Sequence, residues 1–140
     1  MREPTPSLIL SLKSNQIFVF GSNTEGRHGK GAARVAMKFG ARYGEATGPQ
    51  GRTYAIVTKE LSKGCRSVPL ELIAEQVTEF LEYARSEPEL EFLVSPIGCG
   101  LAGYRPEEIA PMFAERPENV RLPKSFIEVL RRQRGAGFVL

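Results

Sequence analysis

The chain has 140 residues, of which 41% are apolar and 25% are charged, and its formal net charge is +3. This length and composition predict one globular domain over residues 1–140, and the modest positive charge suits an anionic ligand without by itself indicating nucleic acid. All 16 acidic residues are glutamates, which excludes an aspartyl-phosphate enzyme, a P-loop magnesium site with its aspartate and an aspartate-based EF-hand.

No apolar run approaches the roughly 20 residues that cross a bilayer, and the opening MREPTPS lacks the apolar centre of a signal peptide. We therefore expect a cytoplasmic protein without a membrane partner. Two cysteines and one histidine are too few for a disulfide framework or a four-ligand zinc site. Reduced thiols, no metal and no cofactor are expected, and the sequence does not indicate an oligomeric state.

Two strands are predicted at the start of the chain. Residues 8–12 (LILSL) are apolar and follow a proline-marked lead-in, and residues 13–16 form a polar turn. Residues 17–20 (IFVF) carry β-branched and aromatic side chains toward both faces, as a buried strand requires. We expect these two strands to pair as a hairpin.

A glycine-rich loop follows the buried strand. Gly21 ends the apolar run, and Gly26, Gly29 and Gly31 allow the backbone to take positive φ and to approach another molecule closely. Helix formers resume at residues 32–39 (AARVAMKF). A strand, a glycine loop and a helix start direct backbone N–H groups toward an anion, so we interpret this loop as a ligand cradle. The alternative is a tight strand-to-helix turn with spare glycines.

The middle of the chain predicts a loop, a strand and a long helix. Residues 44–52 contain three glycines and a proline and are typical of a loop, whereas residues 54–57 (YAIV) predict a third strand. The polar residues 58–66 either fold over a ligand or cross the surface. Ser67 is the predicted cap of the long helix.

The long helix has an apolar face and an acidic face. Its apolar residues recur at helical spacing, at Leu70, Ile73, Val77, Phe80, Leu81 and Ala84. The opposite face holds Glu71, Glu75, Glu79 and Glu82. Because no histidine joins these glutamates, a solvated face is favoured over a metal site.

A second strand and glycine loop follow this helix. Residues 92–97 (FLVSPI) predict a buried strand, and the loop GCGLAGY from Gly98 to Tyr104 comes directly after it. Pro106 opens a further helix, which Pro111 keeps short or kinks. If the two motif strands lie side by side and parallel, both loops leave from their carboxyl ends, where open α/β sheets bind ligands.

The end of the chain predicts a strand at 119–122 and a helix at 125–134, with Phe126, Val129 and Leu130 directed inward. Its basic residues are Arg121, Lys124, Arg131, Arg132 and Arg134. They indicate either a phosphate-binding edge, which would suit a nucleic-acid-binding protein, or a solvated helix face. The solvated face is favoured because no aromatic residues are interleaved to stack bases.

Strands that alternate with helices predict an α/β fold with a mixed sheet covered on both faces.

Two familiar nucleotide-binding motifs are matched only in part. The loop at Gly98 has the spacing G-x-G-x-x-G, yet too little chain follows it for the second half of a dinucleotide-binding fold. Residues 21–28 approach a P-loop, but Arg27 and His28 stand where lysine and a hydroxyl belong.

The two loops together resemble a divergent macro domain, a family that binds ADP-ribose. Asn23 matches an asparagine at the end of a strand, Gly29 to Ala32 match the end of the first loop, and Gly98 to Tyr104 match the second loop. The resemblance implies a three-layer α/β/α domain with a mixed, mostly parallel central sheet. It implies ligand contacts at Gly21, Ser22, Asn23, Gly29, Lys30, Gly31, Ala32, Gly98, Cys99, Gly100, Leu101, Ala102, Gly103 and Tyr104.

The function that this resemblance implies is binding of ADP-ribose or a related nucleotide diphosphate. One hypothesis adds hydrolysis of ADP-ribose from a modified macromolecule. Asn23 would then hydrogen-bond the ribose, and His28 would orient or deprotonate a water molecule. The alternative hypothesis is a non-catalytic module that binds a nucleotide signal.

Overall fold

The computed structural model of the protein describes residues 3–61 and 66–137, with side chains up to residue 133. Six strands and four α-helices are formed in this part of the chain. In chain order they are β1 (Gln16–Asn23), α1 (Gly31–Met37), β2 (Gly48–Gln50), β3 (Thr53–Glu60), β4 (Arg66–Ser67), α2 (Leu70–Ser86), β5 (Glu91–Val94), α3 (Pro106–Ile109), β6 (Val120–Arg121) and α4 (Lys124–Gly137). A 3₁₀ turn, Ala110–Phe113, follows α3.

The strands form one mixed sheet in the order β2-β3-β1-β5-β6, with β4 paired to β3. The pairs β1–β3, β1–β5 and β5–β6 are parallel, whereas β2 and β4 run antiparallel to β3. The prediction of an α/β fold with a mixed, mostly parallel sheet is therefore confirmed. The central position of β1 places its carboxyl end in the middle of one sheet edge.

The predicted strand at 8–12 and its hairpin with β1 are wrong. Both sides of β1 are occupied, by β3 and by β5, so β1 has no free edge for a hairpin partner. The segment instead crosses one face of the sheet, where Ile9 and Leu12 pack against the cluster that contains Phe18 and Phe20. The sheet is mixed because of β2 and β4, and not because of an initial hairpin.

Two further local predictions need correction. Part of the predicted loop at 44–52 is the strand β2, because Gly51 and Arg52 form a turn that returns the chain along β3. Ser67 does not cap α2, since the residue before the helix is Pro69. Ser67 lies in β4, and its hydroxyl donates a hydrogen bond to the carbonyl of Ala102.

The core lies mainly on one face of the sheet. There, α2, α3 and α4 cover the sheet, and Ile73, Val77, Phe80, Leu81 and Ala84 of α2 are buried as their spacing predicts. The other face is covered by α1 and the 8–12 segment. Within the described ranges, no helix combines the length and the apolar character needed to span a membrane.

Candidate functional site

The two glycine loops lie side by side at one edge of the sheet. The strands β1 and β5 that precede them are adjacent and parallel, so both loops leave from carboxyl ends. We call residues 24–30 the first glycine loop and residues 95–105 the second glycine loop. Their bases meet closely, because a Cβ placed on Gly21 would lie 3.8 Å from the backbone nitrogen of Gly98.

The second glycine loop is closed by its own backbone. The N–H of Tyr104 donates to the carbonyl of Gly98 at 2.8 Å, and the N–H of Gly103 donates to the carbonyl of Gly100 at 3.0 Å. Gly98 and Gly103 both have positive φ, at 75° and 80°. A side chain at Gly98 would also meet Ile109 at 3.1 Å, so only glycine suits this turn.

Two contacts tie the second glycine loop to β4 and to the residue that follows it. The hydroxyl of Tyr104 donates to the carbonyl of Val68 at 2.6 Å, and Ser67 donates to the carbonyl of Ala102. Tyr104 is half-buried, and its hydroxyl is hydrogen-bonded within the protein. The small side chain of Ala102 is buried. These residues hold the shape of the loop and leave its tip free.

The tip of the second glycine loop presents backbone donors. Among the described residues, none accepts a hydrogen bond from the N–H groups of Gly100, Leu101 or Ala102. A Cβ on Gly100 or Gly103 would meet no atom within 4 Å, and Leu101 is 71% exposed. Successive unpaired N–H groups beside open space are the arrangement that binds anions.

The first glycine loop is organised by Asn23. Its side-chain oxygen accepts from the N–H of Glu25 at 3.2 Å and from that of Arg27 at 2.9 Å. Its side-chain nitrogen donates to the carbonyl of Arg27 at 2.9 Å. The oxygen of Asn23 and one N–H of its amide therefore bond to the loop backbone, and the second N–H of this half-buried side chain is left for the predicted bond to a ribose.

His28 belongs to the first glycine loop, and its side chain is buried, with only 3% exposed. Its Nε2 is 3.1 Å from the carbonyl oxygen of Glu45. Its ring contacts Phe20 and Tyr43 edge-on, with centroid separations of 5.2 and 6.3 Å. Such burial favours a packing role over proton transfer, and the catalytic role of His28 stays a prediction without geometric support.

The end of the first glycine loop is open where the resemblance places ligand contacts. Gly29, Lys30 and Gly31 are exposed, and a Cβ on either glycine would meet no atom within 4 Å. Ala32, at the start of α1, is half-buried. In contrast, the Ser22 side chain is buried and donates to the carbonyl of Ala46, and Gly21 packs against Thr58. Ser22 and Gly21 thus support the loop from below.

Cys99 lies in the second glycine loop as a half-buried free thiol. Burial, with smaller contributions from Glu108 and Glu107, raises the pKa of this thiol to about 11. Because the thiolate is the reactive form, Cys99 is a neutral group at physiological pH and not a nucleophile.

We expect Cys99 to resist alkylation in the folded protein. In a Cys65→Ser variant, the remaining thiol should react with iodoacetamide at pH 8 about tenfold or more slowly than in the same variant unfolded in urea. The folded-state rate should rise as the pH approaches the raised pKa. Equal rates in the folded and the unfolded protein would contradict this assignment.

Sequence reasoning missed the segment that supports the first glycine loop. This segment, residues 41–47, includes the start of the predicted loop at 44–52, and within it the N–H of Gly44 donates to the carbonyl of Gly26 at 2.8 Å. The fully buried Gln50 donates to the carbonyl of Glu45 at 2.9 Å. A glutamine in a glycine-rich stretch carries no periodic signal, so only its partners reveal this role.

The basic end of the chain does not form one solvated helix face. Arg121 lies on β6, where its side chain donates to the carbonyls of Glu3 and Pro4 at 2.9 and 2.8 Å and lies 3.5 Å from the carboxylate of Glu91. Arg132 is within 3.5 Å of the carboxylate of Glu107. The side chain of Arg134 lies outside the described residues. Arg121 therefore serves to fasten the start of the chain to the sheet.

Two surface cavities lie away from the glycine loops. Their volumes are about 540 and 390 Å³, and Arg121 contributes to the lining of both. Neither cavity includes a residue of either loop.

Comparison with models of protein families gives no match, and comparison with curated proteins gives none either. A solved protein of unknown function from Bacteroides thetaiotaomicron has 16% identity and a TM-score of 0.59, over 81% of this chain and 90% of that chain. A macrodomain protein from Streptomyces coelicolor has 15% identity and a TM-score of 0.54, over 83% and 92%. Identities this low show the fold alone.

The sheet order and the loop placement define an α/β protein whose two glycine loops share one sheet edge. The particular fold is that of the macrodomains, in a divergent form, as the similarity to the Streptomyces coelicolor structure shows. The resemblance noted in the two loops is thereby confirmed at the level of the fold.

Proposed function

We propose that the protein binds ADP-ribose, or a related nucleoside diphosphate, across the two glycine loops without hydrolysing it. One observation carries the proposal: the bases of the two loops meet, with Gly21 at the end of β1 close to Gly98, and each loop has an exposed glycine with open space beside it, Gly29 in the first and Gly100 in the second. Unpaired N–H groups at Gly100, Leu101 and Ala102 would bind phosphate oxygens. The macrodomain-like fold supports ADP-ribose as the ligand class.

The first glycine loop would complete the phosphate site. Gly29 and Gly31 would let the backbone approach the ligand, and the exposed Lys30 between them would add a positive charge. In this proposal, Ala32 and Leu101 contact the sugars from the two sides. Asn23, Ser22, Ala102 and Tyr104 hold the two loops in shape.

Binding without turnover is the function that the geometry favours. Hydrolysis of ADP-ribose from a modified macromolecule needs a group that can take a proton from water close to the ligand. The Asn23 side chain is bonded to the loop backbone, and the His28 ring is buried beneath the loop. Neither side chain therefore offers a base at the open faces of the loops, because the amide of Asn23 does not take up a proton and the imidazole of His28 is buried.

We expect ADP-ribose to raise the thermal stability of the protein and inorganic phosphate to leave it unchanged. Ligand at 100 times its dissociation constant stabilises the folded state by about 2.7 kcal/mol, which a thermal-shift assay detects. ADP, UDP-glucose and ribose 5-phosphate identify which part of the ligand is recognised, and isothermal titration calorimetry gives the affinity. If no nucleoside diphosphate binds, the proposal is wrong.

A turnover assay separates the two functional hypotheses. With an ADP-ribosylated protein as substrate, we expect binding without release of ADP-ribose. Release catalysed by the wild type would support hydrolysis, and comparison of Asn23→Ala with His28→Ala would then identify the residue on which the rate depends.

A further inference from the structure

Residues 41–47, which we call the brace, lie directly against the first glycine loop. A Cβ placed on Gly26 would lie 2.5 Å from the carbonyl carbon of Gly44 and 2.6 Å from the nitrogen of Glu45. The two backbones therefore touch without intervening side chains, and the bond from Gly44 N–H to the Gly26 carbonyl joins them at 2.8 Å. Any movement of the brace must be transmitted to the loop at Gly26.

The buried side chain of Gln50 closes the brace into a ring. Its oxygen accepts from the N–H of Arg42 at 2.8 Å, at the start of the brace. Its nitrogen donates to the carbonyls of Glu45 at 2.9 Å and of Thr47 at 3.4 Å, at the other end. Gln50 is 0% exposed, so its amide depends on these three bonds, and they hold the brace to the buried side chain.

His28 connects the first glycine loop to the same point of the brace. The Glu45 carbonyl that accepts from Gln50 also lies 3.1 Å from His28 Nε2. A carbonyl oxygen only accepts hydrogen bonds, so Nε2 carries the proton and His28 is a donor here. The other ring nitrogen, Nδ1, is buried and has no partner among the described residues. The ring is thus held by one polar bond and by its contacts with Phe20 and Tyr43.

We propose that Gln50 and His28 are positioning residues of the ligand site, which lock the first glycine loop into its binding shape through the carbonyl of Glu45. The inference rests on the proposed function, because the loop geometry matters to a ligand that uses it. It assigns His28 a role other than proton transfer. Loop shape that is set before the ligand arrives removes an ordering cost from binding.

The test compares two buried side-chain amides that support different parts of the fold. Gln50→Glu keeps the acceptor for Arg42 but replaces the donor to Glu45 with an oxygen. Asn119→Asp makes the same change in a residue whose side chain donates to the carbonyls of Ala84 and Glu87 at 2.9 and 3.0 Å. Asn119 directly precedes β6, at the opposite end of the parallel strands from the loops. Both variants lose buried hydrogen bonds and should lose stability.

We expect the dissociation constant for ADP-ribose to rise about tenfold or more in Gln50→Glu and to stay unchanged in Asn119→Asp. Calorimetry is done at a temperature at which both variants are folded. Amide hydrogen exchange at Gly26 and Arg27 should also quicken in Gln50→Glu alone. An unchanged affinity in Gln50→Glu, or an equal loss in Asn119→Asp, overturns the inference.

If Gln50→Glu does not fold, a pair of His28 variants tests the inference instead. His28→Gln retains a donor that can reach the Glu45 carbonyl, whereas His28→Leu has none. Most of the affinity lost in His28→Leu should return in His28→Gln, and equal affinities overturn the inference.

If the wild type binds no nucleoside diphosphate, the proposed function fails, and the inference about the brace is then tested by hydrogen exchange alone. Faster exchange at Gly26 in Gln50→Glu than in Asn119→Asp then supports the inference that Gln50 holds the first glycine loop in shape, and equal exchange overturns that inference.

Discussion

Replacement of Gly100 by glutamate should abolish ligand binding and leave the fold intact. Gly100 lies at the open tip of the second glycine loop, where a Cβ meets no atom within 4 Å, and its φ lies outside the left-handed region. A Cβ at this position therefore adds neither a clash nor backbone strain. A carboxylate in this position would occupy the phosphate site and repel its charge. We expect the dissociation constant for ADP-ribose to rise on the order of 10²-fold or more.

Two matched variants separate bulk from charge. Gly100→Ala adds only a methyl group and should bind nearly as well as the wild type, and Gly100→Lys adds similar bulk with the opposite charge. Gly31→Glu should also lose binding, but its φ of 57° adds backbone strain that Gly100→Glu avoids. Calorimetry measures the affinity and circular dichroism the fold. Normal binding by Gly100→Glu would mean that this loop is only a turn and that the site lies elsewhere.

Replacement of Gly26 by alanine should cost the folded state about 3 kcal/mol or more. The residue has a φ of 64°, and its new methyl group would overlap the backbone of Gly44 and Glu45, the nearest atom at 2.5 Å. Backbone atoms cannot rotate away as a flexible side chain can. Either the brace or the first glycine loop must therefore shift, and ligand affinity should fall together with stability.

Gly44→Ala is the control for backbone strain alone. Gly44 also has positive φ, at 94°, but a Cβ there would meet no atom within 4 Å. Its replacement should cost about 1 kcal/mol, which is the strain of an alanine in this conformation. Urea denaturation of both variants measures the difference. Equal losses would show that the contact between the loop and the brace does not constrain Gly26.

Several elements of the fold are encoded by residues that are close together in the chain. The strands at 17–20 and 54–57 and the buried face of α2 follow from short-range patterns of apolar residues, and all are present. The two strand-to-loop units were also recognisable, because the glycines follow directly after apolar runs. The resemblance to the macrodomains depended on these units, and it holds for the fold.

Strand pairing and the side-chain roles of the site depended on contacts that span long distances in the chain. The apolar residues 8–12 look like a strand, yet β3 and β5 already occupy both sides of β1. Asn23 is an exception, because its amide bonds to residues two and four positions further along the chain, in the turn that follows it.

The sequence alone determined the buried strands, the long amphipathic helix and the two glycine loops, because each is encoded by neighbouring residues. Only the tertiary structure decided which polar side chains face the open loops and which support them. His28 bonds to Glu45, 17 positions away, and Tyr104 bonds to Val68, 36 positions away. A polar residue becomes a scaffold or a ligand contact according to the partner that folding brings to it, and no local pattern records that partner.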